Sequence, residues 1–510
     1  MGPFQFLQRT FGVPDDYAEP AVNVNTVGGV PNSSWYTNRH YRHPMTERAL
    51  RRGPNVESGP TSTAWRVVRV NGDKPLPRAV VRDSTGRRFQ LLFDAPAHPE
   101  MATGAGMIGS RLMYALGYNV PQHWLRYIAA DQLVPGPDSI THAGVDQLLT
   151  RAARRSDGTY RVLATRIPDV GQRIGPFRFR DTRPDDPNDI FPHQHRRELR
   201  GLTVFAAWMH HSKLQSRHTL DVGVEEDGRQ FVRHYFTDLY LTLGSAGTTP
   251  KSAWSGHEYV LEFDEVLERI VTLGLSGADW AEAEPPDWPA LGHFTSEAFD
   301  PRDWRPEWPN AAFQRADSSD TFWAAKQVRG FSRADIEAIV ESADYSSSAV
   351  EKYVTRTLVR RRNAIGRAYL RWGGGLDQFA VSEGRLTFQD LPATYGLVAD
   401  SLRRTVTWHV FNNPENRAGQ KLDRTQSTKE AIPLPLTEAS YLRATIRTTD
   451  RRTTCVYLRR TDSRPFSSAS TARYEVVGVQ RSGKTSEACV GPGGGRVGAR
   501  PSTGTGHRSF

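Results

Sequence analysis

Residues 88–117, RFQLLFDAPAHPEMATGAGMIGSRLMYALG, hold a strand and a helix side by side. Residues 88–94 alternate and are rich in apolar side chains, which predicts a strand. Pro99 stands at a helix-opening position, and a helix is expected over 101–116, ended by Gly117. Working outward, 64–70 and 78–82 have strand-like alternation, with Asn71-Gly72-Asp73 and Ser84-Thr85-Gly86 as the intervening turns. Residues 123–129 read as another strand. Together, 61–135 are expected to form a small α+β lobe.

Residues 1–60, rich in Pro, Gly and Asn without lasting periodicity, read as an extended N-terminal arm. Residues 136–191 are expected as a connecting insertion, within which 175–189 (GPFRFRDTRPDDPND) reads as an ordered loop. A larger, mostly helical lobe is expected over 192–375. Its signals are a helical face of Leu199, Leu202, Phe205, Ala206 and Met209, strands near 219–224 and 230–239, and helices at 335–342 and 348–372. From 376 the period falls to two, over 379–381, 385–388, 405–411, 441–447, 454–459 and 473–479, which predicts an all-β sandwich over 376–480. Residues 481–510, rich in Gly, Ser, Thr and Arg, read as a disordered tail.

The 510 residues include 66 Lys+Arg and 56 Asp+Glu, a formal charge of +10. The arginines are scattered along the chain, which reads as a solvated surface; specific nucleic-acid binding is not expected. No apolar run approaches the ~18–20 residues of a membrane span, and from the start as written, MGPFQFLQRTFGVPDD, no export signal is expected. The two cysteines, Cys455 and Cys489, exclude a cysteine-zinc or disulfide scaffold in the main body and leave open one bridge or two thiols. His193, His195, His210, His211 and His218 cluster in sequence, but no cysteine joins them at zinc-site spacing. The glycines of Trp372–Asp377 follow a helix, so they read as its terminus and a hinge, and no GxSxG, HExxH, Walker loop or GxGxxG occurs.

A small strand-and-helix lobe followed by a helical lobe is the outline of a protein-kinase-like fold. That fold needs a lysine for phosphates with a glutamate partner, an aspartate base, an asparagine five residues on, and a metal-binding aspartate. Several segments resemble an uncharacterised bacterial family with the motifs SSWFTNR, IKFD, PEMATGA, ALGYNVP, TRPDDPND, WLNHxDxxxxNTLD and DFGSTLGS. The matching text here is NVNTVGGVPNSSWYTNR (23–39), LLFD (91–94), PEMATGA (99–105), ALGYNVP (115–121), TRPDDPND (182–189), WMHHSKLQSRHTLD (208–221) and HYFTDLYLTLGS (234–245). The family's catalytic-loop string in turn resembles the HipA-like and spore-coat-kinase-like branch of atypical kinases.

Carried over position by position, the resemblance implies a degenerate member. The lysine position holds Leu92, the base position Lys213 after His211 and Ser212, and the asparagine position His218. The metal-binding aspartate persists as Asp238, followed by Leu239 and Tyr240 where the family has phenylalanine and glycine. Glu100, the expected lysine partner, is left without its ion pair. A protonated Lys213 cannot serve as a base, and magnesium prefers oxygen to imidazole. The expected function is a pseudokinase-type binding or scaffold protein, a monomer whose partner is a protein or an acidic or phosphorylated ligand. An alternative is a divergent phosphotransferase using ATP with Mg²⁺ or Mn²⁺ on Asp238 and His218 and a base such as His211 or Asp221. A second alternative is a cell-envelope protein binding through its C-terminal β domain, which requires a start upstream of Met1.

Overall fold

The computed structural model describes residues 19–61, 64–71, 75–136, 140–168, 172–257, 286–398, 403–461 and 473–482. The expected tail lies outside them from 483 onward, as do the first 18 residues of the expected arm. The fold is mixed α+β, in two compact units: residues 1–25 with 29–371, and residues 26–28 with 372–510. Among the described residues no helix is long and apolar enough to cross a membrane.

The first unit opens with α1 (Glu47–Arg52), β1 (Trp65–Val70), β2 (Arg78–Arg82), β3 (Arg88–Phe93), α2 (Met101–Ala115) and β4 (His123–Ile128), followed by β5 (Leu133–Pro135), α3 (His142–Thr150) and β6 (Tyr160–Arg166). These strands form one sheet in the order β4-β6-β3-β2-β1-β5. The expected insertion therefore contributes a strand to the sheet: β6 lies between β3 and β4, while β5, at the end of the expected lobe, pairs in parallel with β1. The signal of β6 is masked by arginines at both ends. Arg161 is nevertheless buried, because it donates to Thr103 Oγ1 (2.8 Å) and to the carbonyls of Ala343 and Asp344.

Alternation gives the sheet two different faces. Val81, Phe89, Leu91, Phe93, Val162 and Ala164 point into an apolar core with Val145 and Leu148 of α3. Arg78, Val80, Gln90, Leu92, Leu163 and Thr165 face the other way and line a cleft. Helix α2 starts where Asp94 accepts hydrogen bonds from the amides of Ala102 and Thr103 (2.9 Å each) and from Thr103 Oγ1 (2.6 Å).

Beyond the sheet, β7 (Arg173–Gly175), β8 (Thr219–Glu226) and β9 (Arg229–Phe236) form a second, three-stranded sheet. Helices α4 (Arg197–Met209), α5 (Ser318–Arg329), α6 (Arg333–Glu341) and α7 (Ser348–Tyr369) pack around Leu199, Phe205, Trp208, Trp323 and Leu358. Trp304 and Trp323 are buried, whereas Trp308 is exposed. Asp317 opens α5 with a reciprocal cap, accepting from the Asp320 amide while Asp320 accepts from its own.

The second unit has two antiparallel sheets. One contains β10 (Leu376–Ser382), β11 (Arg385–Asp390) and β14 (Ala431–Pro433), with the short α8 (Leu391–Thr394) following β11. The other is ordered β13-β12-β15-β16-β17, made of β12 (Arg404–Asn412), β13 (Arg417–Ser427), β15 (Tyr441–Thr448), β16 (Thr453–Arg460) and β17 (Tyr474–Ser482). Leu376, Leu386 and Ile432 of the first share one apolar core with Val406, Trp408, Leu442 and Val456 of the second. Strands β13 and β14 escape the sequence reading because β13 is a polar edge strand without alternation and β14 is only three residues long. Gly373, Gly374 and Gly375 all have positive φ, a turn open to glycine at little steric cost. Cys455 is disulfide-bonded, and Cys489 lies outside the described residues.

Candidate functional site

The cleft on the second face of the sheet has a volume of about 290 Å³. It is lined by residues of β2, β3, β6 and α2, with Arg217, Thr219, Leu220 and residues 237–240; His218 is not among them. Six arginines line it, Arg69, Arg78, Arg88, Arg166, Arg173 and Arg217, and among the described residues Asp238 is the one carboxylate that joins them. The arginines that read as scattered surface charge are thus partly gathered on one site. They come from separate segments, so only the fold brings them together.

Leu92 lies in this cleft, and the strand register sets Arg78 directly opposite it. Directly opposite residues on paired strands point to the same side, so a cation absent at 92 is present one strand away. The Arg78 guanidinium sits 3.7 Å from Asp238, donates to the Tyr240 hydroxyl and lies 4.7 Å over its ring. Asp238 itself has φ of 53°, a left-handed conformation uncommon for a residue with a side chain. Burial, then the Asp238 charge, pushes the Tyr240 hydroxyl up to about 12, so it stays protonated.

Glu100 is elsewhere. It immediately precedes α2 with φ of 69°, accepts from the amide and hydroxyl of Ser346 (3.0 and 3.1 Å), and lies 3.6 Å from Arg161. The expectation of an orphaned glutamate is corrected: Arg161 supplies its ion pair. The helix position that faces the cleft is Gly106, where an added Cβ would come within 2.5 Å of Leu163.

The 210–218 loop is largely sealed. His210 ends α4 in a left-handed conformation, and its carbonyl accepts from the buried Lys251 Nζ at 2.7 Å. Ser212 Oγ joins Ser255 Oγ (2.7 Å) and Glu307 Oε1 (2.9 Å) in a buried cluster. His211 and His218 are also buried, with ring centroids 6.5 Å apart. Burial holds His211 well below the ordinary imidazole range; it also lowers His218, against the pull of Asp238. Lys213, half-buried beside them, does not line the cleft. Burial brings Lys251 down to about 7, with the nearby Glu307 charge pulling it upward.

The remaining motif residues converge on a different place. Trp35 stacks on His234 at 3.6 Å and meets His193 edge-on at 4.5 Å. His234 Nδ1 and Asp221 are 2.7 Å apart, and Arg183 donates to the same carboxylate at 2.9 Å. His193 Nε2 is 2.6 Å from Asp189, which also receives Arg196 at 3.0 Å. Burial pushes Asp189 upward, but the bonds from His193, the Arg183 amide and Arg196 outweigh it and hold the carboxyl at about 2. Trp35, Arg183, Asp189, Asp221 and His234, from segments 23–39, 182–189, 208–221 and 234–245, therefore meet in a buried cluster in which both carboxylates are paired.

This arrangement decides what Asp238 and His218 can hold. Asp221 is occupied by His234 and Arg183, and Asp238 faces Arg78. Among the described residues, no group of three or more His, Cys, Asp or Glu is placed to hold a metal ion. One carboxylate already opposed by a guanidinium, beside an imidazole, does not fit Mg²⁺ or Mn²⁺, which favour several oxygen ligands. No family model, no curated protein and no solved structure matches the chain.

Proposed function

We propose that the first unit is a catalytically degenerate, kinase-like module that binds an acidic or phosphorylated ligand without transferring phosphate. In this reading, the six-stranded sheet with α2 is the small lobe, and α4 to α7 belong to the larger one. The second unit is read as a β-sandwich, because its two sheets share one core.

The observation that carries the reading is the pairing of Asp238 with Arg78 in a cleft lined by no other carboxylate among the described residues. Phosphoryl transfer needs a metal-binding acid and a base within reach of the acceptor. Here the acid has a guanidinium partner, and both candidate bases are enclosed: His211 is 1% exposed and Asp221 is bonded and 0% exposed.

The test is a phosphotransfer assay on the full chain with labelled ATP, with Mg²⁺ or Mn²⁺, alongside thermal denaturation with the same ligands. The expected result is ligand-dependent stabilisation with no ATP consumption above the buffer rate. Metal-dependent turnover abolished by Asp238→Ala would overturn the proposal and establish the phosphotransferase.

A further inference from the structure

We infer that the cleft is a metal-independent site for a polyphosphate group, with Asp238 as its built-in competitor for Arg78. This rests on the non-catalytic reading above and names the ligand chemistry of the same cleft.

The charge balance is the first argument. Of the six arginines, Arg78 faces Asp238 and Arg166 lies 3.9 Å from Glu57. Arg69, Arg88, Arg173 and Arg217 have no ion-pair partner among the described residues. Guanidinium groups held around one cavity repel each other, and a multiply charged anion removes that repulsion while using their planar, bidentate donors. A kinase cleft relies on magnesium to neutralise phosphate charge. Here arginines already supply that charge, and a divalent cation would add to an excess.

Two further features of the cleft fit an anion. Arg78 Nε and His123 Nε2, both on cleft-lining residues, are buried with no hydrogen-bond partner. Buried polar atoms are normally satisfied, and a phosphate that reorders Arg78 would give its Nε an acceptor. The Arg78–Asp238 separation of 3.7 Å is also longer than a tight charge-assisted bond of about 2.7–2.9 Å. A phosphate can therefore take Arg78 at little cost, whereas the Asp238 charge repels it.

The inorganic and nucleotide sources share this chemistry, so the test uses both. The full chain is titrated calorimetrically with sodium tripolyphosphate and with ATP, each in EDTA and in Mg²⁺. Binding in EDTA that weakens as Mg²⁺ or NaCl is added is expected, since magnesium masks the phosphate and salt screens the site. Arg88→Gln with Arg217→Gln should weaken binding by about tenfold, the scale of losing one or two charge-assisted bonds. Asp238→Asn should tighten it several-fold, the opposite of its effect on a metal-dependent site. Tighter binding of ATP than tripolyphosphate would assign a nucleotide; equal binding would assign the phosphate group alone. Both support the inference.

Three results would overturn it: binding that requires Mg²⁺, loss of binding in Asp238→Asn, or unchanged binding in a folded double arginine variant. Absence of any binding and of any turnover would sink this inference and the expected stabilisation by ATP, while leaving the absence of phosphate transfer in place. Metal-dependent turnover would sink both the inference and the non-catalytic reading.

Discussion

Two regions of the first unit handle charge in opposite ways. Around Trp35, Asp189 and Asp221 each have a histidine and an arginine within bonding distance, and both carboxylates are buried. In the cleft, four arginines stand without a carboxylate among the described residues, and the single acid makes only a loose contact. Paired buried charge fixes one arrangement of the chain, because losing either partner strands the other in a poorly solvating interior. Unpaired charge at a cavity fixes nothing and remains available to a ligand.

Removing a charge should therefore have very different consequences in the two places. Asp221→Ala leaves Arg183 and His234 without their acceptor and should cost about 3–5 kcal/mol in chemical denaturation. A loss below about 1 kcal/mol would show that the cluster is not structural. At the other extreme, Arg88→Gln or Arg217→Gln without ligand should change stability by no more than about 0.5 kcal/mol. A large loss would mean that these side chains hold the fold.

Lys251 lies between these cases, a buried cation whose bond is to the His210 carbonyl and not to a carboxylate. Burial lowers its folded-state value to about 7 from 10.5, so the unfolded chain binds the proton more tightly. Its contribution to stability is complete at pH above the unfolded value, falls as pH drops through that window, and levels off below about 7. Lys251→Met should flatten the wild-type rise in stability between pH 7 and 10, measured by denaturant midpoints. An unchanged slope would assign the rise to other groups.

Much of the scaffold is legible in the sequence where one periodicity runs uninterrupted, as in β1 to β3 and α2. It fails where burial and polarity part company: Arg161 lies in a central strand and is satisfied by backbone carbonyls, while β13 is a strand with no apolar face. The site is less legible. Leu92 and Asp238, singled out by motif, both line the cleft, whereas Glu100, Ser212 and His211 belong to other clusters. Arg78 was within reach. Once the turn at 83–87 sets the hairpin register, it must lie opposite Leu92. The other cleft arginines come from strands and loops far apart in the chain, and no local pattern announces them.

The place of β6 has a consequence for how the chain assembles. β4 joins the sheet only through β6, which is made after it. Until residue 166 leaves the ribosome, β3 and β4 have no shared neighbour and each presents an open edge. Such edges recruit other chains, and pairing across a long sequence separation is slow. A fragment ending at 135, where the sequence suggests a lobe boundary, should therefore aggregate, whereas one extended past 166 has the strand that closes the gap.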